Sequence, residues 1–259
     1  MIGIFDSGLG GLTVVKEILR QLPGHDLVYF GDTARTPYGG KAPETVRRYA
    51  AEDARLLLEH GAEIIVVACN TASALAAKEL RTLLPVPVFD VIGPAVARAA
   101  AVGKRRVGVI GTRGTVQSGI YKKMLRQTAP RLEVRGQACP LFVPLVEEGW
   151  RRGPVVDAIA KSYLRGLNLR GIDSLILGCT HYPFLRSVIA RTVGPKVRLI
   201  DPARETVAAL AARLKNEPGL VTKGRGRVRF LVSDPAGPFA KLAARWLGRK
   251  IKLERAIAG

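Results

Sequence analysis

Two stretches of this chain repeat one plan: a short apolar run, a cysteine among small polar residues, then a helix-forming segment. In the first, Glu63-Ile64-Ile65-Val66-Val67-Ala68 reads as a strand, Cys69-Asn70-Thr71 is the polar edge, and Ala72 to Leu84 is a good helix. In the second, Ser174-Leu175-Ile176-Leu177 reads as a buried strand and Gly178-Cys179-Thr180-His181 comes after it. Pro183 then suits the first turn of a helix, where its missing N–H costs little. Such units build parallel sheets and place their polar residues at the C-terminal strand edge, where open α/β sheets bind ligands.

The rest of the sequence repeats this plan around both cysteines. Ile2-Gly3-Ile4-Phe5 predicts a strand, followed by Asp6-Ser7-Gly8-Leu9-Gly10-Gly11 and a helix from Leu12 to Leu22. The glycine-rich turn suits either an anion at a helix N-terminus or a tight turn capped by Asp6 or Ser7. It matches neither the dinucleotide fingerprint nor the phosphate loop with its lysine. Arg106-Val107-Gly108-Val109-Ile110-Gly111-Thr112 echoes that first strand, and the interval from Gly111 to Cys179 nearly equals that from Asp6 to Cys69. We therefore expect an internal duplication. The predicted fold class is α/β: two doubly wound, mainly parallel-sheet domains related by pseudo-two-fold symmetry, with the active site at their interface.

Between these units the periodicity predicts strands at Asp26 to Gly31, Val86 to Val91, Val134 to Cys139, Lys196 to Ile200 and Val228 to Ser233. It predicts helices at Glu44 to His60, Gly119 to Thr128, Pro154 to Leu167, Pro202 to Leu214 and Phe239 to Leu247. The prolines at Val86-Pro87-Val88 suit an edge strand. The closing strand and helix are too small to stand alone and are expected to pack on the first unit. The expected domains are residues 1–92 plus 208–259, and residues 93–207.

At 259 residues the chain is long enough for two cores. No apolar run is long enough to span a bilayer, so no membrane association is expected. The chain starts directly on a strand, from which we expect no export signal and a cytoplasmic location. Three cysteines in such a chain argue against a disulfide framework, leaving free thiols. Cys139 lacks a polar neighbour in sequence and reads as a buried structural thiol.

The formal charge is +20, which favours anionic ligands or acidic partners. The basic residues are spread over many segments rather than gathered into an aromatic-studded patch. Nucleic-acid binding therefore rests on charge alone, and a solvated basic surface is the plainer reading.

Two thiols in mirrored positions suggest acid–base work on a carbon acid held between them. One thiolate takes the proton from one face and the other thiol returns a proton to the opposite face, which inverts a stereocentre without metal or cofactor. Reactive contacts of ~3–3.5 Å on each side would set the sulfurs roughly 6–8 Å apart. A helix N-terminus is expected to shift each thiol toward thiolate. Asp6 should stand beside Cys69, since both end strands of the first unit, and His181 lies two residues from Cys179. No Cys/His cluster shows zinc spacing. Ser7, Asn70, Thr71 and Thr180 could hold carboxylate and ammonium groups.

In order along the chain, Phe5-Asp6-Ser7-Gly8-Leu9-Gly10-Gly11, Tyr29-Phe30-Gly31-Asp32-Thr33 with Pro37-Tyr38-Gly39, Ala68-Cys69-Asn70-Thr71-Ala72 and Gly178-Cys179-Thr180-His181-Tyr182-Pro183 resemble the glutamate racemases of the aspartate/glutamate racemase family. Val146-Glu147 and Val232-Ser233-Asp234 extend the match over nearly the whole chain. The resemblance implies cofactor-independent interconversion of L- and D-glutamate, supplying D-glutamate for peptidoglycan. It implies that Cys69 acts on D-glutamate and Cys179 on L-glutamate, with Asp6 and His181 as their helpers and Glu147 as a further acid–base group. Substrate contacts would fall on Asp6, Ser7, Tyr38, Gly39, Asn70, Thr71, Thr180 and His181. A homodimer is the usual state of such proteins, and since some relatives inhibit DNA gyrase, the basic charge leaves a gyrase association open. Two other readings stay open: a related racemase acting on aspartate or a hydantoin, and a hydrolase or lyase that uses one thiol as nucleophile.

Overall fold

In the computed structural model, which describes residues 1–235 and 239–259, the apolar runs pair as parallel strands in two sheets. The first half contributes β1 (Ile2–Asp6), β2 (Leu27–Gly31), β3 (Ile64–Val67) and β4 (Val88–Asp90). The second contributes β5 (Arg106–Gly111), β6 (Glu133–Ala138), β7 (Ser174–Gly178) and β8 (Arg198–Ile200). Spatially these run β2-β1-β3-β4 and β6-β5-β7-β8, one order used twice. The last strands, β9 (Val228–Val232) and β10 (Leu253–Arg255), extend the first sheet beyond β2. β4 lies at that sheet's other edge, where the flanking prolines cost no ladder hydrogen bond.

Helices cover both faces of each sheet. They are α1 (Leu12–Gln21), α2 (Pro43–Glu59), α3 (Asn70–Leu83), α4 (Ile92–Val102), α5 (Arg113–Gln117), α6 (Ile120–Thr128), α7 (Phe142–Glu147), α8 (Pro154–Gly166), α9 (Arg186–Val193), α10 (Pro202–Asn216) and α11 (Phe239–Leu247). Side chains alternate across a strand, so each buried run feeds two cores. Ile65 and Val67 join Phe5, Val28 and Phe30 in the core under α2 and α3, while Ile64 and Val66 point the other way. In the second sheet Val107, Val109 and Ile176 pack with α4 and α6, while Leu175 and Leu177 point away. The faces that carry Ile4, Val66, Leu175 and Leu177 belong to one continuous core. It runs from sheet to sheet, and α10, which touches α1, α4 and β7, packs within it.

The structure departs from the sequence reading in places with local causes. Helix α4 starts at Ile92 because the Asp90 carboxylate accepts from the Ile92 and Gly93 N–H groups at 2.6 and 2.8 Å, and Pro94 falls in the first turn, where its missing N–H costs little. Helices α5 and α7 are too short to show a helical period. The chain after Cys179 first makes a 3-10 turn at Tyr182–Leu185, with α9 beginning only at Arg186. The two cysteine units thus share a strand but differ in the helix that succeeds it. Among the described residues no helix is long and apolar enough to cross a membrane.

Candidate active site

Both cysteines follow the third strand of their half, beside the strand that ends in Asp6 or Gly111. In each half the strand order reverses between these neighbours, which opens a crevice at the C-terminal strand ends. Both thiols are 6% exposed. Around them Asp6, Ser7, Asn70, Thr71, Thr180 and His181 are buried, so the polar edges meet inside the molecule.

Cys69 occupies the N-cap of α3, and its sulfur accepts from the Ala72 N–H at 3.5 Å. Its thiol points to Ser7 Oγ at 3.8 Å. The helix terminus does not make it acidic, contrary to expectation. Burial, reinforced by the Asp6 charge, pushes it up to about 12, outweighing the Ala72 and Ser7 hydrogen bonds. The Cys179 charge acts in the same direction, so the thiols sense each other across the cleft.

Cys179 has a different partner. Its sulfur lies 3.8 Å from His181 Nδ1, and the other ring nitrogen, Nε2, lies 3.0 Å from Glu147 Oε1. Burial would lower the imidazole, but the hydrogen bonds and charges of Cys179 and Glu147 prevail and raise it to about 10. Glu147 ends α7 because the chain turns there on Gly149, whose φ is +80°. The Gly149 N–H donates to Val146 O and the Trp150 N–H to Leu145 O, the Schellman pair that a left-handed glycine permits. Tyr182 anchors the Cys179 turn by donating to the Cys139 carbonyl at 2.8 Å. Cys139 itself is buried, as the sequence suggested.

Asp6 reaches from the first half to the second, its charge acting on Cys69 and its carboxylate meeting Thr180. Its carboxylate accepts from the Gly8 N–H at 3.1 Å and, across the cleft, from Thr180 Oγ1 at 3.3 Å. Burial raises its pKa, while the His181 charge and the Gly11, Gly8 and Thr180 donors pull it down. Asp6 thus touches the Cys179 turn, and Ser7 is the residue in contact with the Cys69 sulfur. Gly10 permits this meeting of halves: a Cβ there would stand 2.1 Å from Thr180 Oγ1 and 2.7 Å from His181 Nδ1.

The remaining residues also cross the cleft. Asn70 Oδ1 accepts from the Tyr121 hydroxyl of α6 at 2.7 Å. Thr71 Oγ1 lies 2.9 Å from Thr112 Oγ1 and 3.3 Å from Thr115 Oγ1. Thr112 and Thr115 were not read from the sequence as site residues. Their one signal was Thr112 following Gly111, as Ser7 follows Asp6. Gly39 packs against Thr112, where a Cβ would come within 2.5 Å of the threonine Cβ. The Tyr38 side chain points away from the two thiols. It is fully buried, and its hydroxyl bonds Asp32 and, at 2.8 Å, Asp53, so the side chain faces that carboxylate pair rather than the thiols. Among the described residues no three or more His, Cys, Asp or Glu side chains converge as a metal-ligand set.

Mirrored thiols stand at matching strand ends, one of them beside an imidazole whose pKa is raised to about 10. A family model described as Asp/Glu/Hydantoin racemase matches residues 2–210. A glutamate racemase of Geobacter metallireducens is 50% identical over 252 residues, 96% of this chain and 93% of that protein. One of Thermus thermophilus is 48% identical over 257 residues, 99% of this chain and 96% of that protein. A crystal structure of a Bacillus anthracis glutamate racemase superposes with TM-score 0.95 at 39% identity, covering 99% of this chain and 97% of that one. A Francisella tularensis glutamate racemase in complex with D-glutamate superposes with TM-score 0.92 at 37% identity, with the same coverage. The chain belongs to the Asp/Glu/hydantoin racemase family. It is an enzyme, an isomerase.

Proposed function

We propose that this enzyme interconverts L- and D-glutamate through proton transfer at Cα between Cys69 and Cys179, supplying D-glutamate for peptidoglycan. The observation that carries the reading is the pair of buried thiols on duplicated strand ends, each with its own polar partners. The relatives named as glutamate racemases, one of them holding D-glutamate, support the choice of substrate.

With L-glutamate, the Cys179 thiolate takes the Cα proton, and the C–H electron pair passes into the α-carboxylate as an enediolate. The Cys69 thiol gives its proton to the opposite face, leaving D-glutamate, a Cys69 thiolate and a Cys179 thiol. The reverse direction exchanges the roles. His181, raised to about 10, is a cation beside the Cys179 sulfur across the neutral range, which supports negative charge there. Cys69, pushed up to about 12, rests as the thiol. That protonation state is the one that accepts L-glutamate. After turnover the proton must return to Cys69, and Asp6, with its raised pKa and its contact to Thr180, stands between the halves to help it. Ser7, Asn70, Thr71, Thr180 and the Tyr38-Gly39 backbone would bind the carboxylates and ammonium.

Aspartate is the competing substrate. Following optical rotation with L-glutamate and L-aspartate in parallel tests the choice. A kcat/KM for glutamate at least about tenfold above that for aspartate is expected, since an extra methylene in a fitted site is worth about 1–3 kcal/mol. Equal or reversed values would assign the site to aspartate.

A further inference from the structure

Behind His181 lies a second concavity that proton transfer does not use. It is a cavity of about 590 Å³ lined by Gly149, Trp150, Arg151, Arg152, Phe184, Ser187 and Arg245. Three guanidinium groups line it and no carboxylate does. None of the three has an ion-pair partner among the described residues.

Arg151 is the least compensated. Its Nε and Nη2 atoms are buried without a hydrogen-bond partner among the described residues. The guanidinium carbon lies 5.3 Å from the Phe184 ring centre and 5.8 Å from that of Trp246, so aromatic faces hold it in place. Burial and the nearby Arg245 charge both disfavour its charged form. Buried N–H donors on a cation call for an acceptor, and an anionic one also relieves the repulsion between guanidinium groups. A carboxylate would satisfy one planar fork, whereas a phosphoryl dianion offers oxygens and charge to several.

We propose that this pocket binds a phosphoryl group, held by Arg151, Arg152 and Arg245 between Trp150 and Phe184. An occupant lies one side chain from the acid–base machinery. Trp246 meets His181 edge-on at 6.4 Å, and the loop that carries Arg151 begins where α7 ends at Glu147.

The protein carries its own reporter, because its only two tryptophans, Trp150 and Trp246, flank Arg151. Tryptophan fluorescence is followed while inorganic phosphate replaces chloride at constant ionic strength. A saturable change with a dissociation constant below about 1 mM is expected. It should persist with the racemisation site saturated by glutamate and vanish in the double variant Arg152→Glu/Arg245→Glu. These exposed positions lie outside the proton-transfer site, so racemisation without phosphate should stay within about twofold of wild type. If the double variant fails to fold, Arg152→Gln alone should weaken binding by about tenfold. Phenyl phosphate distinguishes the sources: tighter binding than orthophosphate assigns the site to an aromatic phosphate ester, and weaker binding assigns it to free phosphate. No saturable change, a change that glutamate abolishes, or an unaltered change in the variants overturns the proposal.

Discussion

The two thiols occupy equivalent positions and unlike environments. Cys69 lies against Ser7 and the Ala72 N–H, with burial dominating, whereas Cys179 lies beside an imidazole that Glu147 holds. Replacing Glu147 by Gln removes one of the two groups that raise His181. The alkaline limb of kcat/KM for L-glutamate should therefore move to lower pH, with a loss on the order of 10–100-fold at pH 8. A pH–rate profile that kept its limb would show that Glu147 does not control the histidine. The same substitution has a signature in stability. The folded-state pKa of His181 lies above the ordinary value of 6.5, so its contribution is fully present below about 6.5 and is lost as pH rises through about 10. Denaturant unfolding should show the Glu147→Gln deficit near pH 6 and its loss toward and above pH 10.

At the scale of elements, the site depends on how closely the turn after β1 approaches the turn after β7. Gly10 sets that distance, since a Cβ would overlap Thr180 Oγ1. Gly10→Ala should leave the two sheets folded, lower the melting temperature by a few degrees and reduce kcat by about 10²-fold, because small misplacements at a reacting centre are costly. Unchanged kcat would mean the two turns are not held in register by this contact. The sequence made the strands legible because buried parallel strands carry long apolar runs, as at Ile64–Val67 and Ser174–Gly178. Their duplication was legible through order and spacing. The 3-10 turn after Cys179 was not, since Pro183 fits its first turn as well as an α-helix. Nor was the side-chain direction of Tyr38, which is fixed by Asp32 and Asp53, a pair brought together only in the folded chain. Thr112 and Thr115 escaped notice because small hydroxyls carry no pattern until Thr71 faces them.

Across the whole molecule, hydroxyl and amide contacts tie the halves together at Thr71–Thr112, Asn70–Tyr121 and Asp6–Thr180, while one apolar core and α10 hold them from behind. The net charge of +20 belongs to this scale as well. If it draws the substrate's carboxylates toward the cleft, KM for glutamate should rise several-fold between ~0.05 and 0.5 M salt as the Debye length shortens. A flat salt dependence would leave the charge without a part in substrate capture.

Whether two thiols act from opposite faces of one carbon can be read from solvent deuterium. Racemisation of L-glutamate in deuterated water is followed by mass analysis of both enantiomers early in the reaction, for the wild type, Cys69→Ser and Cys179→Ser. Deuterium is expected at Cα of the D-glutamate formed, with the remaining L-glutamate unlabelled and racemisation reduced at least ~10²-fold in each variant. Protium carried over into the product, or full racemisation retained by either variant, would rule out a two-thiol mechanism.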